Sequence, residues 1–273
     1  ALGTRNIHTK DFNWTTNLNI GYNENKVIQE TVAQNATYPG REGYPVGALF
    51  AYKTAGLDAD GYPLFVNKNG EKVSATEFLK LNAHGASTLT AEEQRNLYTY
   101  MGSTDPKWTG GFINTFDYKN WQLGINFTFN FGMKVRVQPS YSPANYDRGL
   151  NVNRDILNRW TADNTSGSFT KLMVSTERPR EYVQYNEYNL YSMLDTWVKD
   201  CNYARLQSLR LGYKLPTQWL SRIGVKSASL SLEARNLLVI ASNYDNYLDP
   251  ETMGNPYAQP IPKSFIFGVN VNF

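Results

Sequence analysis

The sequence predicts an all-β fold, part of a transmembrane antiparallel β-barrel with long extracellular loops, and three observations predict it. First, residues 121–138 alternate without a break. Trp121, Leu123, Ile125, Phe127, Phe129, Phe131, Met133, Val135 and Val137 are apolar, while every intervening position is polar or glycine. A period of two places the two sets on opposite faces of a strand. Soluble strands usually run about 5–6 residues, whereas a membrane-crossing strand needs about 9–11. Second, the same pattern recurs in five further segments. Third, aromatic residues make up 14% of the chain, with 19 Tyr and 6 Trp, yet mean hydropathy is −0.51. Alternating strands joined by wet loops give that combination, and no run of about 18 apolar residues offers a helical span.

The elements follow in order. Residues 12–23 set Phe12, Trp14, Thr16, Leu18, Ile20 and Tyr22 against Asn13, Thr15, Asn17, Asn19, Gly21 and Asn23. Residues before Thr9 read as the tail of a seventh strand. Residues 108–118 carry Trp108, Phe112, Phe116 and Tyr118 on one face, which Gly110 and Asn114 weaken. Residues 203–215 bring Leu209, Leu211, Tyr213 and Leu215 together after a phase slip near Leu206. Residues 228–238 set Ala228, Leu230, Leu232, Ala234 and Leu238 against Ser229, Ser231, Glu233 and Arg235. The final strand sets Phe265, Phe267, Val269, Val271 and Phe273 against Ser264, Ile266, Gly268, Asn270 and Asn272. Most strands end in aromatic residues, where the interfacial girdles of a barrel lie. Phe127 and Phe129 should therefore face lipid, and Asn126 and Asn130 the lumen.

Periplasmic turns of such barrels are short and outer loops long. With Phe273 in the periplasm, the short connections 6–11, 119–120 and 216–225 all fall there. The long ones, 24–107, 138–198 and 241–262, all fall outside. The same parity removes 44–54 and 62–67 from the wall and makes them a hairpin within the first outer loop, while 217–223 reads as a helical turn. Six full strands cannot close a barrel with a lumen, since the smallest closed barrels have about 8. Open sheet edges are intolerable in lipid, so the rest of the wall is expected from chain beyond these 273 residues. No signal peptide opens the chain at Ala1, which reads as a mature piece of something larger.

Residues 105–120 (DPKWTGGFINTFDYKN) run directly into 121–132 (WQLGINFTFNFG). In the same order stand 11–26 (DFNWTTNLNIGYNENK), 42–52 (EGYPVGALFAY), 203–216 (YARLQSLRLGYKLP) and 260–273 (PIPKSFIFGVNVNF). With 151–160, this set resembles the late barrel of SusC/RagA-type TonB-dependent outer-membrane transporters, over nearly the whole chain. The resemblance implies a 22-stranded barrel, of which residues 1–273 are the C-terminal portion, with an amino-terminal plug and earlier strands lying elsewhere. It further implies a SusD-like surface lipoprotein acting as a lid and a TonB complex pulling on the plug. The activity implied is import of oligosaccharides or peptides across the bacterial outer membrane. Phe273 resembles the carboxy-terminal aromatic signal read during barrel assembly.

Other classes are weaker. A passive porin is opposed by the long aromatic loops, and a non-transporting surface glycan-binding protein or adhesin by the lipid-facing aromatic band. A net charge of +3 without a basic stripe gives no basis for nucleic-acid binding. Cys201 is the single cysteine and reads as a small strand side chain. His8 and His84 lack metal-ligand spacing. The run from Asp58 to Gly61 opens like a calcium loop but lacks the downstream glutamate, so an ordinary polar turn is favoured. With no phosphate loop or nucleophile elbow, no enzyme, cofactor or metal is expected.

The second outer loop holds the candidate site. Tyr182, Tyr185, Tyr188 and Tyr191 recur every third residue among Asn186 and Asn189, with Trp160 and Trp197 in the same loop. Aromatic faces beside amides suit sugar rings and peptides. For any single tyrosine, packing of the loop on itself or on a lid is the commoner role. Arg148, Arg154 and Arg159 are able to face an anionic group, but three arginines in a wet loop more often mark solvent exposure or lid contact. Trp160, Tyr185 and Tyr188 are the candidates for substrate or lid contact.

Overall fold

A computed structural model describes residues 1–137, 149, 154–167, 169–172, 190, 192–221, 224–242, 249–252, 255 and 258–273. In chain order its strands are β1 (Leu2–His8), β2 (Phe12–Tyr22), β3 (Ala48–Ala51), β4 (Thr54–Leu57), β5 (Pro63–Val66), β6 (Lys72–Val73) and β7 (Thr99–Ser103). They continue with β8 (Trp108–Tyr118), β9 (Trp121–Phe131), β10 (Lys134–Arg136), β11 (Val198–Asp200), β12 (Asn202–Lys214), β13 (Ser227–Ser242) and β14 (Ser264–Asn272). Three short helices are α1 (Ala75–Leu79), α2 (Ala91–Arg95) and α3 (Thr217–Leu220). Two compact units result: Ala1–Glu24, Asp105–Lys134 and Asp200–Phe273 form one, and Asn25–Thr104 with Val135–Lys199 the other.

The first unit is a seven-stranded antiparallel sheet in the order β1-β2-β8-β9-β12-β13-β14. Its register aligns the two faces across every strand. Ile7, Trp14, Phe116, Leu123, Leu211, Leu232 and Phe267 stand in one continuous apolar row. His8, Asn13, Asp117, Gln122, Gly212, Ser231 and Gly268 stand in an adjacent row on the opposite face. A one-residue slip anywhere would have mixed these faces. Large apolar residues on the first face, among them Trp108, Trp121, Leu232, Phe265 and Phe267, are more than a third exposed. An apolar face this continuous exceeds any patch a soluble surface carries, and lipid is the solvent that suits it.

Aromatic rows bound that face. Phe12, Tyr118, Trp121 and Tyr213 align at the turn end, with Trp121 and Tyr213 4.5 Å apart. Tyr22, Trp108 and Phe131 align at the other end. From Trp121 to Phe131, at about 3.4 Å per residue, the strand covers about 34 Å. Tilted by about 45°, that matches the ~25 Å apolar band of an outer-membrane barrel.

Departures from perfect alternation have local causes. The phase slip near Leu206 is a β-bulge: Leu206 pairs with Phe127 and Leu238, Ser208 with Asn126 and Arg235, and Gln207 is left over. At the same level on β13, Asn236 adopts a left-handed φ of 56°, which asparagine tolerates better than most residues. Gly110 sits opposite Phe129, and a Cβ there would stand 2.3 Å from Asn19 O and 2.4 Å from the Phe129 ring. Asn114, buried on the apolar face, accepts hydrogen bonds from Trp14 Nε1 at 2.9 Å and Thr16 Oγ1 at 2.7 Å. Its polarity is satisfied inside the sheet, as a group in hydrocarbon requires.

The seventh strand expected before Thr9 is present as β1, paired with β2 from Leu2 to His8. Two other expectations need correction. The alternating run from Trp121 is not one strand. It ends at Phe131, because Gly132 turns to a left-handed φ of 79° and donates its amide to Asn202 Oδ1 at 2.6 Å; β10 then pairs separately with β11. The segments 44–54 and 62–67 do lie outside the wall, and the hairpin expected of them is confined to the end of the first: Thr54 pairs with Phe65, and Val66 N donates to Lys53 O at 2.9 Å. β3 pairs with β7, and β5 sits between β4 and β6. The helical turn expected after Pro216 is present as α3.

Candidate functional site

The outer unit folds around rings drawn from far apart in sequence. Phe65 stacks on Phe78 at 4.8 Å, Tyr52 on Tyr98 at 4.2 Å, and Tyr44 on Tyr100 at 4.8 Å. Phe50, Ala51, Tyr52, Phe65, Phe78 and Leu79 are buried. Each such large side chain contributes about 1.5–3 kcal/mol when fully removed from water. Two capping boxes fix the helices: Ser74 with Glu77 opens α1, and Thr90 with Glu93 opens α2. The amide and then the hydroxyl of Thr90 hold the Glu93 carboxyl below its usual range.

The two long outer connections are stitched together within this unit. Tyr52 N donates to Met193 O at 2.8 Å, Asp195 N donates to Tyr52 O at 2.9 Å, and Arg136 donates to the carbonyls of Ser192 and Phe50. Rings at the margin of this core remain open to solvent. Tyr38, Tyr44 and Tyr100 are each more than a third exposed and lie beside Phe50 or each other. Next to them, Arg41 bridges to Glu30 at 2.6 Å and donates to Val46 O at 3.3 Å. Those Arg41 hydrogen bonds lower the Glu30 carboxyl. Sequence reading missed this aromatic ledge because its members are spread from Tyr38 to Tyr100 with no short period.

Of the expected mouth residues, Trp160 is half-buried. Its indole lies flat on Gly61, where a Cβ would stand 2.5 Å from the ring, and Gly61 has a φ of +86° that already favours glycine. Trp160 N donates to Phe169 O at 2.8 Å, and Lys171 N to Gly61 O at 2.8 Å, so the contact is built into the loop. Trp197 is buried and stacks on Phe169 at 5.7 Å. Tyr182, Tyr185, Tyr188 and Tyr191 lie outside the described residues, as does Arg148. Arg159 Nη1 donates to Ile156 O at 3.0 Å. Asp58 Oδ1 accepts from the amides of Asp60 at 2.9 Å and Tyr62 at 2.8 Å, the bonding of a polar turn. Among the described residues, no group of three or more His, Cys, Asp or Glu could hold a metal. Phe273 follows β14 and is exposed.

On the polar face of the sheet, one site was not foreseen. Arg205 is 1% exposed; its Nη2 donates to Asp249, and its Nε donates to Glu251 Oε1 at 2.7 Å. Asp249 also accepts from the amides of Glu251 at 3.0 Å and Ile261 at 3.3 Å. Beside it, Cys201 is fully buried with Sγ 3.5 Å from Pro250 O, and burial pushes its thiol up to about 11.

A membrane-sized apolar face backed by an amide-rich polar face defines an outer-membrane β-barrel wall. Comparisons with known proteins agree. No protein-family model matches the chain. Over its full length the chain is 26% identical to TonB-dependent receptor P3 of Formosa agariphila and 22% identical to TonB-dependent receptor SusC of Bacteroides thetaiotaomicron. It spans only 28% and 26% of those proteins. Among solved structures, the RagAB peptide importer in its open-open state matches with a TM-score of 0.72 at 22% identity, over 99% of this chain and 28% of that one. The RagAB peptide transporter matches with a TM-score of 0.70 at 24% identity. The chain has the fold of an outer-membrane β-barrel portion and is similar over its full length to SusC/RagA-type TonB-dependent proteins. Its relatives are receptors and not enzymes, as the sequence led one to expect.

Proposed function

We propose that residues 1–273 are the C-terminal wall portion of an importer that carries large nutrients, oligosaccharides or peptides, across the outer membrane. The observation that carries this reading is the segregation of apolar and amide-rich faces across seven strands, in a chain whose relatives are named TonB-dependent receptors. The polar face lines the lumen through which cargo passes. β1 and β14 each pair on one side only among the described residues. Unpaired backbone is intolerable in lipid, and the relatives are several times longer, so the remaining wall and the plug come from the rest of the protein. A SusD-like lipoprotein covers the mouth and a TonB complex acts through the plug. The RagAB neighbours are named for peptides, which supports peptides as one cargo class; oligosaccharides remain the other.

Trp160, Tyr185 and Tyr188 contact cargo or lipoprotein at the mouth, and Phe273 serves as the assembly signal. The test is uptake of a fluorescent peptide digest and a fluorescent oligosaccharide digest by cells carrying the full-length protein. Uptake of one of them that disappears without TonB supports the importer. Uptake that persists without TonB identifies a porin, and surface binding without uptake an adhesin. Losing one stacking partner costs about 1 kcal/mol, so the three aromatic residues are changed to alanine together. Unchanged uptake and unchanged lipoprotein co-purification at equal abundance would remove them from the site.

A further inference from the structure

Residues 67–97 enclose a cavity of about 420 Å³ within the outer unit, inside the range of about 300–1,000 Å³ usual for small-ligand clefts. Its walls come from three neighbouring pieces of chain: the turn from β5 to β6, helix α1, and the segment that leads through α2 to Leu97. Each piece is fixed locally. Asn67 Oδ1 accepts from the amides of Asn69 and Glu71, both at 2.9 Å, and Ser87 Oγ donates to Leu79 O at 2.6 Å. One continuous stretch of chain therefore builds the cavity.

The floor is apolar and the rim carries charges of both signs. Phe78 is buried and stacked on Phe65, and Val73, Leu89 and Leu97 are half-buried in the same lining. Glu71, Glu77 and Glu93 stand on the rim with Lys68 and Lys80, and all of these are exposed. Each glutamate is held through Oε2: Glu71 by Asn67 Nδ2 at 2.8 Å, Glu77 by Ser74 N at 3.3 Å, and Glu93 by Thr90 N at 2.8 Å. Among the described residues, Oε1 of each accepts no hydrogen bond, and neither lysine forms an ion pair. The lysine charges still reach Glu93, adding to the lowering of its carboxyl that the Thr90 amide dominates. Opposite charges that line one cavity without closing on each other leave room for a molecule that carries both.

A ligand that meets this chemistry has an apolar side chain, an ammonium group and a carboxylate. A neutral sugar has none of them. Phe78, the aromatic ring of the lining, is 4% exposed and offers no face for a sugar to stack on. We propose that this cavity binds short apolar peptides with free termini. The side chain rests on Val73, Phe78, Leu89 and Leu97, the ammonium meets the glutamates, and the carboxylate meets Lys68 and Lys80. The assignment is independent of the importer reading, since binding is measured without transport.

The experiment uses the purified full-length protein in detergent. Trileucine should bind in calorimetry, and trileucine carrying a diazirine should photo-crosslink within residues 67–97, mapped by mass spectrometry. That arm needs no variant. In the second arm, Lys68→Gln with Lys80→Gln should weaken trileucine at least about tenfold. The same variant should leave the weaker binding of trileucine amide, which lacks the carboxylate, unchanged. Glu71→Gln should weaken trileucine and spare its N-acetyl form. Protease resistance of the outer unit checks that each variant is folded. Maltotriose should not displace the photo-probe. Crosslinks confined to other residues, a lysine variant that binds trileucine as the wild type does, or one that loses amide and free acid equally would overturn the site. Displacement by maltotriose would overturn the peptide class. Intact trileucine binding in a protein that shows no TonB-dependent uptake would count against the importer reading alone.

Discussion

The seven-stranded wall and the outer unit are both built from strands, yet they put their large apolar side chains in opposite places. In the wall, Phe265 and Phe267 are each 69% exposed, and in the outer unit Phe65 is 0% exposed. The wall leaves its apolar face for another solvent to cover, and the outer unit covers its own. The same hydrophobic driving force acts in both. Backbone pairing dominates in the first, where every amide must be satisfied in lipid. Ring-on-ring packing dominates in the second, between segments tens of residues apart.

Changing one region should leave the other standing, and the largest effect should test that. Phe65→Ala removes a ring stacked on Phe78 and edge-on to Tyr52, which typically costs about 3–5 kcal/mol. The outer unit should become sensitive to protease added outside the cell while the heat-modifiable barrel persists. Equal loss of both would show that the units do not fold separately. Phe127→Arg acts the other way, placing a charge near the middle of the apolar face at about 2–4 kcal/mol. Barrel assembly should fall sharply, whereas Asn126→Arg, one residue away on the polar face, should be tolerated. The reverse outcome would invert the assignment of lipid and lumen.

Gly110→Val should cost about 1–3 kcal/mol by overpacking, since the Asn19 carbonyl and the Phe129 ring both crowd the space of the new side chain. The double variant Gly110→Val, Phe129→Ala should recover part of that loss, read as the temperature of heat modification. If it recovers nothing, the ring over the glycine is not the cause. The smallest effect is a pH dependence confined to the outer unit. Glu30 and Glu93 both have carboxyls held below their usual range, by Arg41 and Thr90 respectively. A lowered folded-state pKa stabilises above the unfolded value of about 4.3, and that contribution fades as pH falls through the folded value. Glu93 is exposed and Glu30 lies near the surface, so acid should raise protease sensitivity only slightly, and Glu30→Gln with Glu93→Gln should flatten the response.

Legibility followed the same divide. Alternation at Trp14, Leu123, Leu232 and Phe267 announced which face each belonged to, because strand periodicity is a local property. The slip at Leu206 was visible as a change of parity before the bulge gave it a cause. Gly110 and Asn114 looked like weaknesses in their strand. Only the neighbouring strands reveal that Phe129 fills the gap beside one and that Trp14 and Thr16 satisfy the other. The strand break at Gly132 was masked by apolar residues that kept the right parity beyond it.

The sequence by itself determined the wall: its strand count to within one, its two faces and its long connections. A period of two is written in adjacent residues and needs no distant partner to be read. The tertiary structure alone decided what the outer loops became. Tyr52 meets Met193 and Asp195, Phe50 meets Arg136, and Arg205 meets Asp249 and Glu251. Those pairings join segments roughly 45 to 140 residues apart, and their cost is dominated by loop closure, which grows only slowly with separation. Since closure discriminates so weakly between distant partners, the choice among them rests on shape, charge and ring packing that no local pattern encodes.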